Sequence, residues 1–404
     1  MNSSINECEI YSSKVFNALS YATDIFERNR TGHGKRVAYT SVQLAKHMKL
    51  SKQEISKLCY AALLHDIGVG NAMNKAYQLN EDYKEVDHVT EGSTIVMALF
   101  NDQEITEAVL NHHENFDGTG LLKKANLSLG KLSKIIRISD YLDNIFEARM
   151  PYSLARKQCQ SKILSLESIY FEPELVDSFI EMTSNERFWL DYRAENFKYS
   201  LDPIENFGDK CLSLDEFIEI GFIFSKIVDN KSKHFKLHSE NVAFYMRETA
   251  RMKMFDEITL KKVYLAGLFH DIGNVSIMTS ILEKPGSHTE EELDHIKTHP
   301  YYTRLILEQI PNIRDIINWA SRHHEYLDGT GYPERLKADS LDYFSRLLAV
   351  CDIYDLLIEE RHYREHYSYE DAWKAIFDLC NQGKLCREAS NDLKSFTDSK
   401  RELE

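Results

Sequence analysis

Residues 263–275 of the chain read VYLAGLFHDIGNV, an apolar run that ends in a histidine, an aspartate and a glycine. Residues 58–70 read LCYAALLHDIGVG, so the same phrase occurs a second time. A single His-Asp dipeptide says nothing about fold or function, whereas repetition of the surrounding residues would. A long repeat would fix the fold, because each copy would then be one folded unit.

Seven polar positions recur in the same order and at nearly the same spacing in both halves of the chain. The offset is 205 residues up to the His-Asp pair, and the second half then carries six extra residues before its next histidine. In both halves, 24 residues separate that histidine from the first of two adjacent histidines. The positions are His33, His65, Asp66, His88, His112, His113 and Asp140 in the first half, and His238, His270, Asp271, His299, His323, His324 and Asp352 in the second.

The length and the apolar periodicity predict an all-α fold of two tandem helical domains, each a bundle, and the repeated histidines and aspartates predict a metal centre in the core of each bundle. A chain of 404 residues exceeds the size at which one hydrophobic core stops growing. Few prolines and glycines interrupt runs with apolar residues every three or four positions. Pro203, Gly208 and a Ser-Leu-Asp cap pattern mark the boundary. The predicted domains are residues 1–200 and 216–404, joined by a linker over residues 201–215.

Residues 288–300 read HTEEELDHIKTHP and predict a helix in the second domain. Thr289 is the expected N-cap, with Glu292 at the capping-box position. The four-residue spacing of His295 and His299 predicts that both lie on one face of this helix.

Net charge and cysteine usage limit the partners and the compartment. The net charge of -15 argues against binding a long nucleic acid, which needs many Lys and Arg side chains at the phosphates. A small anionic ligand is still compatible, because bound metal ions would supply positive charge locally. The seven cysteines form no CxxC pair and are interpreted as reduced thiols. Without a signal pattern or a long apolar run, the chain is predicted to be cytoplasmic and to have no membrane partner.

The repeated histidines and aspartates have the chemistry of a metal site. Imidazole and carboxylate groups suit iron, manganese or zinc, and the aspartate of the His-Asp pair is the natural bridge between two ions. Burying this many polar groups without a metal would be costly. Two nearby ions would activate water near neutral pH and hold a phosphate ester. His234, four residues before His238, is a candidate ligand for a third ion.

The motifs in sequence order resemble those of tandem HD-GYP domains, the subfamily of HD phosphohydrolases that hydrolyses cyclic dinucleotides. The second half carries the resemblance in HDIG at His270, EKPGSHTEEELDHIKTHP from Glu283, HHEYLDGTGYP from His323 and RLLAVCDIYDLLIEERHYR from Arg346. The first half carries it in GHGKRV, HDIG, HHENFDGTG, the Asp140 segment and FEPELVDSF. The first half lacks EKPG, and its GYP phrase is replaced by GTGLLKK.

The resemblance implies a role for each of these positions. The seven repeated positions of the second half would be metal ligands, with Asp271 bridging, and their first-half counterparts would hold metal too. Iron or manganese is implied, with two or more ions per active domain. Catalysis would involve Asp271, His270 and Asn274, where Asn274 replaces a lysine that usually follows HDIG. The implied substrate-binding residues are Arg346, Arg361, Arg364, Gly331, Tyr332 and Pro333.

The expected function is a metal-dependent phosphodiesterase that converts a cyclic dinucleotide, cyclic di-GMP or 3'3'-cyclic GMP-AMP, to a linear dinucleotide. Two alternatives stay open at the level of sequence: a receptor that binds the cyclic dinucleotide without turnover, and another HD-type nucleotide phosphohydrolase. Catalysis is expected in the second domain, with a regulatory or scaffolding role for the first. The two domains are expected to pack against each other, and a homodimer also stays open.

Overall fold

The computed structural model describes residues 10–26, 31–70, 72–73, 84–124, 128–197, 201, 209–231, 237–284, 286–358 and 367–401. The chain forms two compact units, Tyr11–Lys210 and Cys211–Glu404, the latter together with Met1–Ile10. They are called the first and the second unit below. Residues 202–208 of the predicted linker lie outside the described residues, and the linker limits stay a prediction.

The first unit is built from helices. They are α1 (Ser12–Phe26), α2 (His33–His47), α3 (Lys52–Leu63), α4 (Glu85–Phe100), α5 (Gln103–Leu110), α6 (Lys131–Ile145), α7 (Tyr152–Leu164), α8 (Pro173–Thr183) and α9 (Glu186–Arg193). The chain also contains the two-residue strands β1 (Ile10–Tyr11) and β2 (Cys211–Leu212).

The second unit repeats this architecture. Its helices are α10 (Leu214–Asp229), α11 (His238–Met252), α12 (Glu257–Phe269), α13 (Thr279–Leu282), α14 (Glu290–Ile296), α15 (His299–Leu307), α16 (Arg314–Ser321), α17 (Tyr343–Ile358), α18 (Tyr369–Asn381) and α19 (Arg387–Arg401). Short 3-10 helices lie at Ile272–Ser276 and Ala338–Ser340. The predicted all-α fold is confirmed. Among the described residues, no helix is both long and apolar enough to cross a lipid bilayer.

The close approach of α11 and α12 sets up the centre of the second unit. A Cβ atom at Gly267 would lie 2.4 Å from the Cα of Ala243, so only glycine lets the two backbones pack this tightly. The apolar faces around this crossing are buried, with Leu265, Ala266 and Met246 at zero exposure. The crossing therefore brings the start of α11 next to the end of α12.

The predicted helix over residues 288–300 is partly right. Thr289 caps α14 and forms the predicted capping box with Glu292. However, α14 ends at Ile296 and a new helix begins at His299, so the expectation that His295 and His299 share one helix face is wrong. The physical reason is Pro300, whose ring would clash with the carbonyl of Ile296 in a continuous helix.

Candidate metal centre

The candidate ligands of the second unit lie mostly at the ends of helices. His238 is the first residue of α11, and His299 is the first residue of α15. His270 directly follows α12, and His323 lies just beyond α16. Asp352 lies inside α17. Because these helix ends meet in the interior, residues far apart in sequence converge on one buried cluster.

Asp271 lies between two groups of side chains in this cluster. One group is His238, His270 and Asp352, and the other is His299, His323 and His324. Oδ2 of Asp271 lies 3.6 Å from Nε2 of His270, whereas Oδ1 lies 3.3 Å from Nε2 of His299. One carboxylate therefore presents one oxygen to each group. This is the geometry that a bridging ligand requires.

The hydrogen bonds of the imidazoles fix which nitrogen faces the cluster. Nδ1 of His270, His299 and His323 lies 2.7, 2.8 and 2.7 Å from the backbone carbonyl oxygen three residues earlier. A neutral imidazole that donates from Nδ1 carries its lone pair on Nε2, which points inward here. Such outer partners are typical of metal-ligating histidines. The donor set therefore fits divalent transition metals.

His238 differs from these histidines, because its outer nitrogen contacts a carboxylate. Nδ1 of His238 lies 2.7 Å from Oδ2 of Asp355, and Nε2 lies 3.2 Å from Oδ1 of Asp352. Burial alone would lower the pKa of His238, but the hydrogen bonds to Asp352 and Asp355 outweigh it and raise this pKa well above its usual value. Asp352 has its pKa strongly lowered, because the hydrogen bond from His238 and nearby imidazole charge overcome burial.

The other group of histidines stays neutral. Burial lowers the pKa of His324 to about 4. Burial also lowers the pKa values of His299 and His323, which places His323 well below its usual value. Each of these neutral imidazoles keeps one N–H and carries a lone pair on its other ring nitrogen near neutral pH, and that nitrogen can bind a cation.

The first unit builds the same centre from its own residues. His33 and His65 join Asp66 in one group, and His88, His112 and His113 join Asp66 in the other. Oδ2 of Asp66 lies 3.1 Å from Nε2 of His65, and Oδ1 lies 3.4 Å from Nε2 of His112. Asp140 lies 3.5 Å from Nε2 of His33. The structure thus brings together all seven repeated positions in each half.

The loop after His324 closes against the centre of the second unit. The ring of Tyr332 stacks on His324, with ring centroids 4.8 Å apart and planes 29° apart. Gly331 is required where the loop is tightest, because a Cβ there would lie 2.4 Å from the backbone nitrogen of Tyr326. Pro333 follows through a cis peptide bond. The predicted substrate contacts of this loop remain a prediction.

A buried carboxylate that sequence reasoning missed holds this loop. Glu325 accepts hydrogen bonds from the backbone N–H groups of Glu334, Arg335 and Leu336, at 2.6, 3.1 and 2.8 Å. Glu114 does the same in the first unit, with the N–H groups of Leu122 and Lys124. Asp355 and its counterpart Asp143 were also missed. A signal existed, because each of these acids recurs at the same place in both halves.

The turn after the His-Asp pair contains Asn274, which is buried in the 3-10 helix Ile272–Ser276. Nζ of Lys231, another residue that the sequence did not single out, donates to the carbonyls of Asn274, Val275 and Ile277 at 2.9, 3.0 and 2.8 Å. This buried ammonium fixes the backbone that carries Asn274. A catalytic role for Asn274 remains a prediction.

The predicted phosphate-binding arginines are described only in part. Arg346 donates to the backbone carbonyls of Leu341 and Ala338 at 2.9 and 2.7 Å, so its guanidinium holds the segment before α17. Arg361, Arg364 and the candidate ligand His234 lie outside the described residues. A phosphate contact from Arg346 would therefore compete with these two carbonyls.

Comparison with known proteins gives matches over most of the chain. The HD domain family matches residues 22–174 and 223–382. A 3'3'-cGAMP-specific phosphodiesterase of Vibrio cholerae serotype O1 is 28% identical over 388 residues, which cover 92% of this chain and 88% of the relative. A cyclic di-GMP phosphodiesterase of Pseudomonas aeruginosa is 32% identical over 149 residues, covering 35% of this chain and 36% of that protein. The crystal structure of a cyclic GMP-AMP specific phosphodiesterase of V. cholerae, 20% identical, superposes with a TM-score of 0.68 over 95% of this chain and 97% of that one.

Proposed function

The chain belongs to the HD domain family, which matches both of its halves, and on that premise we propose that it is a metal-dependent phosphodiesterase that hydrolyses a cyclic dinucleotide. The observation that carries the proposal is the position of Asp271, with one carboxylate oxygen toward each of two histidine groups. Relatives that are named as phosphodiesterases of 3'3'-cGAMP and of cyclic di-GMP support the substrate class.

We assign two ions to the second unit, one per histidine group, and iron or manganese fits these nitrogen and oxygen donors best. Ions held there would lower the pKa of water and polarise the phosphate ester. His238, His270 and Asp352 would hold one ion, while His299, His323 and His324 would hold the other. Asp271 would contact both.

The side chains around the ions have their own tasks. The outer hydrogen bonds to backbone carbonyls would keep the Nε2 lone pairs of His270, His299 and His323 aimed at the ions. Asp355 can hold the Nδ1 proton of His238, which keeps Nε2 available as a ligand. Gly331, Tyr332 and Pro333 would line the substrate side, and Arg346, Arg361 and Arg364 would contact the phosphates.

We assign turnover to the second unit. The seven repeated His and Asp positions lie close together in both units, so in this proposal the units differ in how the substrate is held. The second unit alone carries the GYP phrase and the EKPG segment. A phosphate that is not oriented toward the attacking water reacts slowly even beside bound metal. The first unit is therefore proposed to bind metal without efficient turnover.

Asn274 supports a second candidate function, that of a cyclic dinucleotide receptor without catalysis. It replaces a lysine that the HD-GYP motif usually provides after HDIG, so one cation is lost from the substrate side. One experiment separates the candidates. The purified full-length protein, with its metal content measured, is incubated with cyclic di-GMP and with 3'3'-cyclic GMP-AMP, and the products are separated by chromatography. A linear dinucleotide supports the phosphodiesterase, whereas binding without product supports the receptor. A chain that hydrolyses only noncyclic nucleotides would be another HD-type phosphohydrolase.

A further inference from the structure

A cation and an aromatic ring lie together beside the metal centre of each unit, but the two units build this pair from different positions. In the second unit, Nζ of Lys384 lies 5.5 Å from the ring centroid of Tyr326. In the first unit, Cζ of Arg137 lies 5.0 Å from the ring centroid of Tyr170. Both distances are within the range of a cation–π contact.

Backbone hydrogen bonds establish which residues correspond. The N–H of Phe116 donates to the carbonyl of Tyr170 at 3.1 Å, just as the N–H of Leu327 donates to the carbonyl of Lys384 at 2.9 Å. Tyr170 is therefore the counterpart of Lys384. By the same alignment of the two HHE phrases, Asn115 is the counterpart of Tyr326. The aromatic ring of the first unit, that of Tyr170, therefore stands at the position that corresponds to the cation Lys384 in the second unit.

The cation of the first unit stands on the helix that carries a metal ligand. Arg137 lies on α6, three residues before Asp140, where the second unit has the small residue Ala349. Its Nε and Nη2 donate to Oδ1 of Asn115 at 3.2 and 3.0 Å, and Asn115 is buried only two residues after His113. The guanidinium is therefore hydrogen-bonded to the segment that directly follows two of the proposed metal ligands, His112 and His113.

We propose that the first unit binds a phosphate-bearing nucleotide at its metal centre, with Arg137 as the phosphate contact. A guanidinium held in a plane by an amide oxygen and an aromatic face is preorganised for a phosphate group. The half-buried Tyr170 keeps the guanidinium in place. For the class of nucleotide, a cyclic dinucleotide, this inference rests on the proposed function. The first unit is then a ligand-binding site in its own right, beyond a scaffold that retains metal.

Calorimetry on the full-length, metal-loaded protein tests this inference. The background is Asp271→Ala, which disables the second centre, and the probes are cyclic di-GMP and 3'3'-cyclic GMP-AMP. Binding should persist in this background and should weaken at least about tenfold when Arg137→Gln is added. The matched control is Lys131→Gln, which removes an exposed cation from the start of the same helix. This control should stay within about twofold of the background.

Two further measurements separate the outcomes. Arg137→Lys keeps the charge and should retain part of the affinity, and the metal content of Arg137→Gln should equal that of the background. Unchanged affinity in Arg137→Gln, or an Asp271→Ala protein that binds neither probe, overturns the inference. Turnover by the wild-type protein is measured separately. Hydrolysis without any binding at the first unit rejects this inference alone, whereas a wild-type protein that neither binds nor hydrolyses either probe rejects the proposed function as well.

Discussion

Oδ2 of Asp355 lies 2.7 Å from Nδ1 of His238, and both side chains are buried. In His270, His299 and His323 of the same centre, Nδ1 instead contacts a backbone carbonyl oxygen. A carboxylate in this place increases the basicity of the imidazole and fixes its orientation. The contribution of Asp355 to the basicity and orientation of His238 can therefore be tested by mutating Asp355.

Asp355→Asn should weaken metal binding in the second unit about 10- to 100-fold, because outer partners of ligating histidines contribute this much to affinity. The matched variant is Asp143→Asn, since Asp143 lies 2.7 Å from Nδ1 of His33. Metal content after titration with a chelator should show each loss in one unit only. Equal metal retention by Asp355→Asn and the wild-type protein would contradict this role.

Metal loading of the second unit should release a proton from His238. The raised pKa of His238 means that the metal-free imidazole holds an extra proton at pH 7, whereas the lowered pKa values of His299 and His324 mean that these do not. A ligand nitrogen must lose its proton to bind, so apparent affinity should rise with pH above 7. Calorimetry in two buffers of different ionisation enthalpy counts the protons. His238→Ala should release about one fewer, and an unchanged count would reject the assignment.

Glu325→Ala should lower both stability and turnover. The substitution leaves up to three backbone N–H groups without their acceptor, at a cost of about 1–3 kcal/mol for each that stays buried. Because Glu325 orders the loop that carries Tyr332, turnover should fall while metal content is retained. Glu114→Ala is the control, since it loosens the corresponding loop of the first unit. Thermal unfolding and initial rates measure the two effects, and equal rates for both variants would argue against a role of the second loop.

The sequence predicted which histidine and aspartate side chains lie close together, because these residue types recur in the same order in both halves. The repetition of seven His and Asp positions indicated that they act together, and the structure places the seven side chains of each half close to one another. The all-α fold followed from the apolar spacing and from the small number of prolines and glycines within the apolar runs. Thr289 as an N-cap was also predictable, since capping depends on local chemistry.

The surroundings of the cluster were harder to predict, because their roles depend on tertiary contacts. By local pattern alone Asp355 and Glu325 look like solvated helix and loop residues, although the fold buries them, and only their recurrence in both halves distinguishes them. Lys231 shows the same difficulty, since no local pattern tells a surface lysine from one bonded to three carbonyls. The break between His295 and His299 could have been predicted, because Pro300 rules out a continuous helix.

The proposed division of labour between the units predicts opposite outcomes for one substitution made in two places. Asp271→Ala removes the carboxylate that lies between both histidine groups of the second unit, and Asp66→Ala does the same in the first. Each should lower the metal content of its own unit. Cyclic dinucleotide hydrolysis should be lost in Asp271→Ala, because the GYP loop that would orient the phosphate stands only beside that centre. Asp66→Ala should keep turnover within about tenfold, with any change arising from lost ligand binding in the first unit. Turnover that survives Asp271→Ala and disappears in Asp66→Ala would show that the catalytic unit is the first one.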